Sequence, residues 1–281
     1  MDAYPVLGAL FALVSAVIWG GADFSGGIST RRITQFQTLA LSAFSGVLVL
    51  LSLAILSREP WPAWPDMLWS VAAGIAGAAG IAALYYGLSL GQMALVAPIA
   101  AVVGVVAPVV FGLLTRNLAT SGQILGFLIA LPGIWLVSYS SSGARNHAGE
   151  GLALSLFAGL GFGGFFILIA QVQRGAIFVP LVFARVAMFC LAGLFLLLRR
   201  LPIPPLRDNP VALLAGGLDA GGNIFYLFAI QFTRLDVAAV LSSLYPAVTV
   251  ILASLLVKER ITPWQWAGIA VCLIAVILIV Y

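Results

Sequence analysis

Apolar residues run along this chain in blocks long enough to cross a bilayer, separated by short polar stretches. A hydrocarbon core about 30 Å thick needs about 20 helical residues per crossing. Ten such blocks are present: Pro5 to Phe24, Gln37 to Leu56, Met67 to Leu88, Ala94 to Leu114, Ile124 to Ser140, Gly151 to Ala170, Val179 to Leu198, Val211 to Ile230, Val237 to Val257 and Trp264 to Tyr281. The longest connections, Ser57 to Asp66, Ser141 to Glu150 and Arg199 to Pro210, leave no room for a soluble domain. Unbroken runs such as Val102 to Leu114 and Val271 to Val280 exclude a strand barrel, whose segments alternate apolar and polar. The pattern predicts an all-α integral membrane protein with ten transmembrane helices.

Composition agrees: 63% of the 281 residues are hydrophobic and 8% are charged, with a mean hydropathy of +1.15, too little polar residue to clothe a water-soluble surface. The net charge of +4 comes from scattered loop arginines, and no basic run exceeds two residues, so it is no nucleic-acid footprint. Arg31, Arg32, Arg145, Arg199, Arg200, Arg207, Lys258 and Arg260 fall on one side of a ten-span chain, against Arg58, Arg116, Arg174 and Arg234 on the other. The positive-inside bias then puts both termini outside the cytoplasm. Met1-Asp2 supplies no basic start for a cleavable leader, so the first span is expected to stay as a helix. Cys190 and Cys272 lie within spans as packing residues, and His147 stands alone in the central loop, so neither a metal nor another cofactor is implied.

Function is therefore read from the few polar groups at membrane depth. Asp219 sits near the middle of the eighth span, where an ionised carboxylate is costly unless it meets water or a partner. Arg185, the basic residue well inside the seventh span, lies at similar depth and is its expected partner. Asp219, Asn223 and Tyr226 stand at i, i+4 and i+7 on one face, flanked by glycines 216, 217, 221 and 222 that permit close packing. In the first span Ser15, Trp19 and Asp23 share a face; Trp19 is placed in a cavity wall, while Asp23 is close enough to the span's end to be simply solvated. The ninth span carries Ser242, Tyr245 and Thr249 on one side with Pro246 between them, and Tyr85 or Tyr86 of the third span completes an aromatic set. Pro98, Pro108 and Pro246 each remove an intrahelical donor and are candidate hinges. Lys258, Glu259 and Arg260 read as a solvated turn.

The two halves of the chain can be laid over each other. Ala94 to Gly126 aligns without a gap on Asp236 to Gly268, and the register extends upstream to set Gly80 against Gly222 and Leu84 against Tyr226. Near the start of each half, A-V-I-W-G-G matches A-G-L-G-F-G-G. Residues 1–142 and 149–281 thus read as two five-helix repeats. An odd number of crossings per half inverts the second relative to the first, the architecture of alternating-access carriers.

Several of these segments resemble the EamA-type exporters of the drug/metabolite transporter superfamily. They are W-G-G-A-D-F at Trp19 to Phe24, Y-Y-G-L at Tyr85 to Leu88, A-L-V-A-P-I at Ala94 to Ile99, L-S-S-L-Y-P-A-V-T at Leu241 to Thr249 and L-V-K-E-R-I-T at Leu256 to Thr262. The first half departs from the pattern where Gly104 replaces a proline and Asn117 a glutamate. The resemblance implies efflux or exchange of small organic metabolites, in several relatives amino acids, through a compact bundle with a central cavity; it names no single substrate.

The reading carried forward is a multi-pass transporter of the inner (plasma) membrane, a monomer with no nucleic-acid partner. It takes a small-molecule substrate through a cavity lined by Trp19, Tyr85, Arg185, Asp219, Asn223, Tyr226, Ser242 and Tyr245. Arg185 would meet a carboxylate and Asp219 would restrain the arginine or bind an amine, which puts amino acids first; drugs and nucleosides are the alternatives. Proton coupling through Asp219 and facilitated exchange both stay open. An aspartyl protease built on Asp23 and Asp219 is disfavoured, since the second aspartate sits in G-G-L-D and the first follows alanine. A permanent channel fits the glycine-rich repeat less well than a carrier does.

Overall fold

The computed structural model describes residues 3–89, 93–115, 120–138, 148–258 and 261–280, and omits the side chains at 3–5, 85, 87–89, 93–98, 138, 148–150 and 280. Arg116, Asn117, Arg145, His147, Glu259 and Arg260, with the side chains of Tyr85 and Pro98, lie outside that set. Eleven α-helices are found among the described residues: α1 Ala3–Ser29, α2 Gln35–Leu56, α3 Trp64–Ser89, α4 Met93–Thr115, α5 Ser121–Ser138, α6 Ala148–Ile169, α7 Phe178–Leu198, α8 Pro210–Phe232, α9 Leu235–Ser242, α10 Tyr245–Leu256 and α11 Pro263–Val280. A 3-10 turn, Leu206–Asp208, precedes α8. Seven stretches are long and apolar enough to span a membrane, and Ile99–Thr115, Ser121–Val137 and Pro263–Ile279 are shorter apolar helices.

Each of the ten predicted blocks is helical over its described residues, with two corrections. The first block does not end at Phe24: α1 continues to Ser29. Its last turns are polar and glycine-rich, yet Ser25 Oγ donates to Gly21 O at 2.8 Å and Ser29 Oγ shares a hydrogen bond with Thr38 Oγ1 at 3.0 Å, so the hydroxyls are satisfied within the bundle. The ninth block is not one helix. It breaks at Ser243 and Leu244, and Pro246 stands in the first turn of α10, where a missing N–H costs nothing. By contrast α4 runs unbroken through Pro98 and Pro108.

Helix packing exchanges the two halves of the chain. The α1 helix packs on α8 as α6 packs on α3; α2 packs on α8 as α7 packs on α3; α5 meets α11 and α2 meets α7. The glycine contacts repeat in detail. A Cβ on Gly222 would strike the Trp19 indole, reaching 2.6 Å from Nε1, and a Cβ on Gly80 would meet the Phe162 ring at 3.0 Å. Gly216 lies against the Ser42 backbone and Gly74 against the Ala184 backbone, close approaches that only a residue without Cβ allows.

Along the α1–α8 seam the helices run antiparallel, since Gly8 meets Thr233, Ser15 meets Gly222 and Gly21 meets Leu218. Side-chain hydroxyls stitch α1 to its neighbours: Ser15 Oγ donates to Gly222 O at 2.8 Å, Ser242 Oγ to Ala12 O at 3.2 Å and Thr249 Oγ1 to Gly20 O at 3.2 Å.

Two acidic residues fasten the connections near the start of α7. Glu59 accepts from the backbone N–H groups of Ile177, Phe178 and Val179 at 2.8, 2.8 and 3.2 Å. Asp66 accepts from Gln173 N at 3.1 Å. A carboxylate at a helix N-terminus satisfies donors that have no intrahelical partner and opposes the positive end of the dipole.

Candidate functional site

Arg185 and Asp219 are ion-paired through Nη2 and Oδ2, with the arginine side chain 6% exposed and the aspartate 27%. The guanidinium is enclosed further: Nη1 donates to Met188 Sδ at 3.4 Å, and Gly46 of α2 leaves room for its Cδ. Asn223 Nδ2 donates to Asp219 O at 2.6 Å and to Asp219 Oδ1 at 3.3 Å, so the amide holds the carboxylate from one turn below. The pair expected from the sequence is thus formed, and α8 presents it from the middle of its buried face.

Below it lies an aromatic cluster. The Trp19 ring centroid is 5.7 Å from Phe166, 5.8 Å from Tyr226 and 6.4 Å from Tyr245, and Phe166 is 4.8 Å from Tyr226. Trp19 and Tyr226 are buried. The Tyr226 hydroxyl is completely buried and has no hydrogen-bond partner in the protein, an unusual state that marks a polar atom placed for water or a ligand. Ser242, by contrast, spends its hydroxyl on Ala12 O and serves packing. Tyr85 sits in α3 with its side chain outside the described residues, and Tyr86 is exposed.

Asp23 occupies a different place from the one its sequence position suggests. It lies six residues inside α1, on the face whose other members, Ala12, Ser15, Ala16, Trp19, Ala22 and Gly26, are all buried, yet Asp23 itself is exposed. One turn on, Gly27 is exposed too and faces open space. Exposure on the inward face of a packed helix means an internal water-accessible crevice, not lipid. Asp219, partly exposed from the buried face of α8, opens into the same region and lies within electrostatic reach of Asp23. The spacing Ser15, Trp19, Asp23 already put this carboxylate on the inward face; the apparent end of the span at Phe24 hid its depth.

A second space lies at the opposite end of the seam. It has a volume of about 270 Å³ and is lined by Phe111, Thr115, Gln171, Gln173, Arg174, Leu227, Gln231 and Thr233, among others. None of the described residues expected to line the cavity borders it. Leu227, which follows Tyr226 on α8, borders this space, so the aromatic cluster of Trp19, Phe166, Tyr226 and Tyr245 stands next to it on that helix. The Arg185–Asp219 pair and Asp23 thus stand apart from this second space, whose charged lining residue is Arg174.

Among the described residues no group of three or more metal-ligating side chains is found.

Comparison with known proteins agrees with the architecture. A solved crystal structure, described only as that of a protein, superposes with a TM-score of 0.77 at 18% identity, covering 96% of this chain and 95% of that one, which establishes the fold alone. No curated protein matches the chain. Residues 6–139 and 149–281 each match the EamA-like transporter family, one match per half. The chain is a multi-pass membrane protein that belongs to the EamA-like transporter family.

Proposed function

We propose that the protein exports or exchanges small metabolites, amino acids first among them, by alternating access between two five-helix units, residues 1–142 and 149–281, that cross the inner membrane ten times in inverted orientation. The observation that carries this reading is the pair of inward-facing carboxylates, Asp23 on α1 and Asp219 on α8, that reach water from otherwise buried helix faces. They come from different halves of the chain and lie within electrostatic reach of each other, and the cluster of Trp19, Phe166, Tyr226 and Tyr245 is read as the barrier beside them. A carrier needs such a site at the junction of its halves, open to one side and closed to the other.

In this scheme Trp19, Tyr226 and Tyr245 receive the apolar body of the substrate, Asp219 and Asn223 define its polar end, and the break between α9 and α10 at Pro246 lets the barrier rearrange. Pro98 and Pro108 flex α4, and Tyr85 borders the path, while Ser242 holds α9 against α1. The protein works as a monomer and needs no cofactor. Drugs or nucleosides are the alternative cargo, since flat aromatic walls accept many ring systems.

The test is uptake of a labelled amino-acid panel into proteoliposomes by wild type and Asp219→Asn, with a pH gradient imposed or absent. Saturable uptake lost in the variant supports the carrier and its central site, and dependence on the gradient assigns proton coupling. Absence of flux for every amino acid, from folded protein, refutes the amino-acid assignment.

A further inference from the structure

We propose that Asp23 is the substrate-binding carboxylate of this carrier, and that it selects molecules bearing a protonated amine on an apolar or aromatic body over their anionic counterparts; the proposal rests on the transporter reading above. The reasoning starts from charge. Among the described residues, the ionisable groups deep within the bundle near the crevice are Arg185, Asp219 and Asp23. Arg185 and Asp219 neutralise each other. Among the described residues no cation is ion-paired with Asp23, and the charge that acts on it is another carboxylate, Asp219. Whenever Asp23 is ionised its charge has no counterion among the described residues of the bundle, and low-dielectric walls focus such a field on an entering cation.

Arg185 does not supply the opposite pole. Its side chain is 6% exposed, and its Nη atoms are engaged by Asp219 and Met188. A substrate carboxylate would have to displace a carboxylate that Asn223 already holds in place. An amine meets no such obstacle, because Asp23 is exposed to the crevice and Gly27 leaves open space one turn away.

An independent observation on another helix points to a ligand in the same region. The Tyr226 hydroxyl is buried and unpartnered. Side chains on a helix lean toward its N-terminus, so the phenol leans from α8 toward Asp219, and its ring lies 5.8 Å from Trp19, one turn from Asp23 on α1. An orphaned carboxylate and an orphaned hydroxyl thus flank one aromatic wall from two helices. A protonated amine donates to Asp23, its ring rests on Trp19, and a polar atom of the ligand or a carried water meets Tyr226. An ammonium near an indole face gains cation–π attraction as well.

Three compounds with the same ring and different charge test the assignment: phenethylamine, phenylalanine and phenylpropionate. Calorimetric titration of the purified full chain in detergent is expected to show phenethylamine binding at least about tenfold more tightly than phenylpropionate. Asp23→Asn should erase that preference and Asp23→Glu should retain it, with a thermal melt showing each variant folded. Equal or tighter binding of phenylpropionate, survival of the preference in Asp23→Asn, or no binding of phenethylamine to wild type would each overturn the proposal. Carrier-mediated phenylalanine flux without an amine preference would sink this assignment and leave the transporter reading standing. Asp23-dependent amine binding with no flux of any compound would do the reverse.

Discussion

Replacing Gly216 by alanine tests the helix crossing on which the site rests. An alanine Cβ there would lie 2.6 Å from the Ser42 carbonyl carbon and nearer still to its oxygen. Carbon atoms settle at about 3.5–4.0 Å, and the obstacle is backbone of α2, which no rotamer change removes. The helices must part by about 1 Å, and overpacking of this kind costs about 1–3 kcal/mol. The strain would reach the ion pair, because Gly46 packs between the two: a Cβ there would lie 3.3 Å from both Gly216 O and Arg185 Cδ. The neighbouring Gly217 is the control: its Cβ would find nothing nearer than Val49 Cγ2 at 4.0 Å. Alanine there removes a helix-weakening glycine and should be neutral or stabilising by up to about 1 kcal/mol. Unfolding of detergent-solubilised protein by sodium dodecyl sulfate should rank Gly216→Ala well below both wild type and Gly217→Ala. Gly74 packs on the Ala184 backbone in the exchanged position, where an alanine Cβ would lie 2.8 Å from the Ala184 carbonyl carbon, and Gly74→Ala should show a matching loss. Wild-type stability for Gly216→Ala would refute the crossing, and a loss at Gly216 without one at Gly74 would refute the equivalence of the halves.

Other consequences can be checked in the same preparation. Arg185→Leu or Asp219→Leu alone leaves an uncompensated charge and should cost about 3–5 kcal/mol; the double reversal Arg185→Asp with Asp219→Arg should recover stability but not transport if the pair also serves substrate. Glu59→Ala removes the acceptor for three N–H groups at the start of α7, and a loss of about 1–2 kcal/mol is expected, as for other helix caps. Tyr226→Phe deletes a hydroxyl with no protein partner and should raise the melting temperature of substrate-free protein while weakening substrate binding. A lower melting temperature would show that the hydroxyl is satisfied after all.

Much of this arrangement was legible from the residues. Lone opposite charges at equal depth have few ways to avoid the cost of hydrocarbon, so Arg185 and Asp219 identified each other. The match of Gly80 with Gly222 was legible because close helix contacts tolerate only small residues, and both glycines do receive an aromatic ring. The true end of α1 was not, since hydropathy counting stops at Phe24 while the helix is continued by Ser25 and Ser29 bonding to Gly21 and Thr38. The solvated Asp23 expected from the sequence is exposed in the structure too, but it lies six residues inside the helix and not at its end. The break before Pro246 was foreseen as a kink, but its position at Ser243 and Leu244 depends on how α9 and α10 pack against α1, which no local pattern encodes. Glu59 and Asp66 looked like loop charges; their partners lie more than a hundred residues away.

Counterflow is the most direct measurement of the central claim that this bundle carries solute by exposing one site to each side in turn. Vesicles containing the protein are loaded with an unlabelled amino acid and diluted into its labelled form. A carrier predicts that the internal load accelerates labelled uptake several-fold and that Asp219→Asn abolishes the acceleration. Uptake through folded wild type that is indifferent to what the vesicle contains would describe a pore and contradict the account.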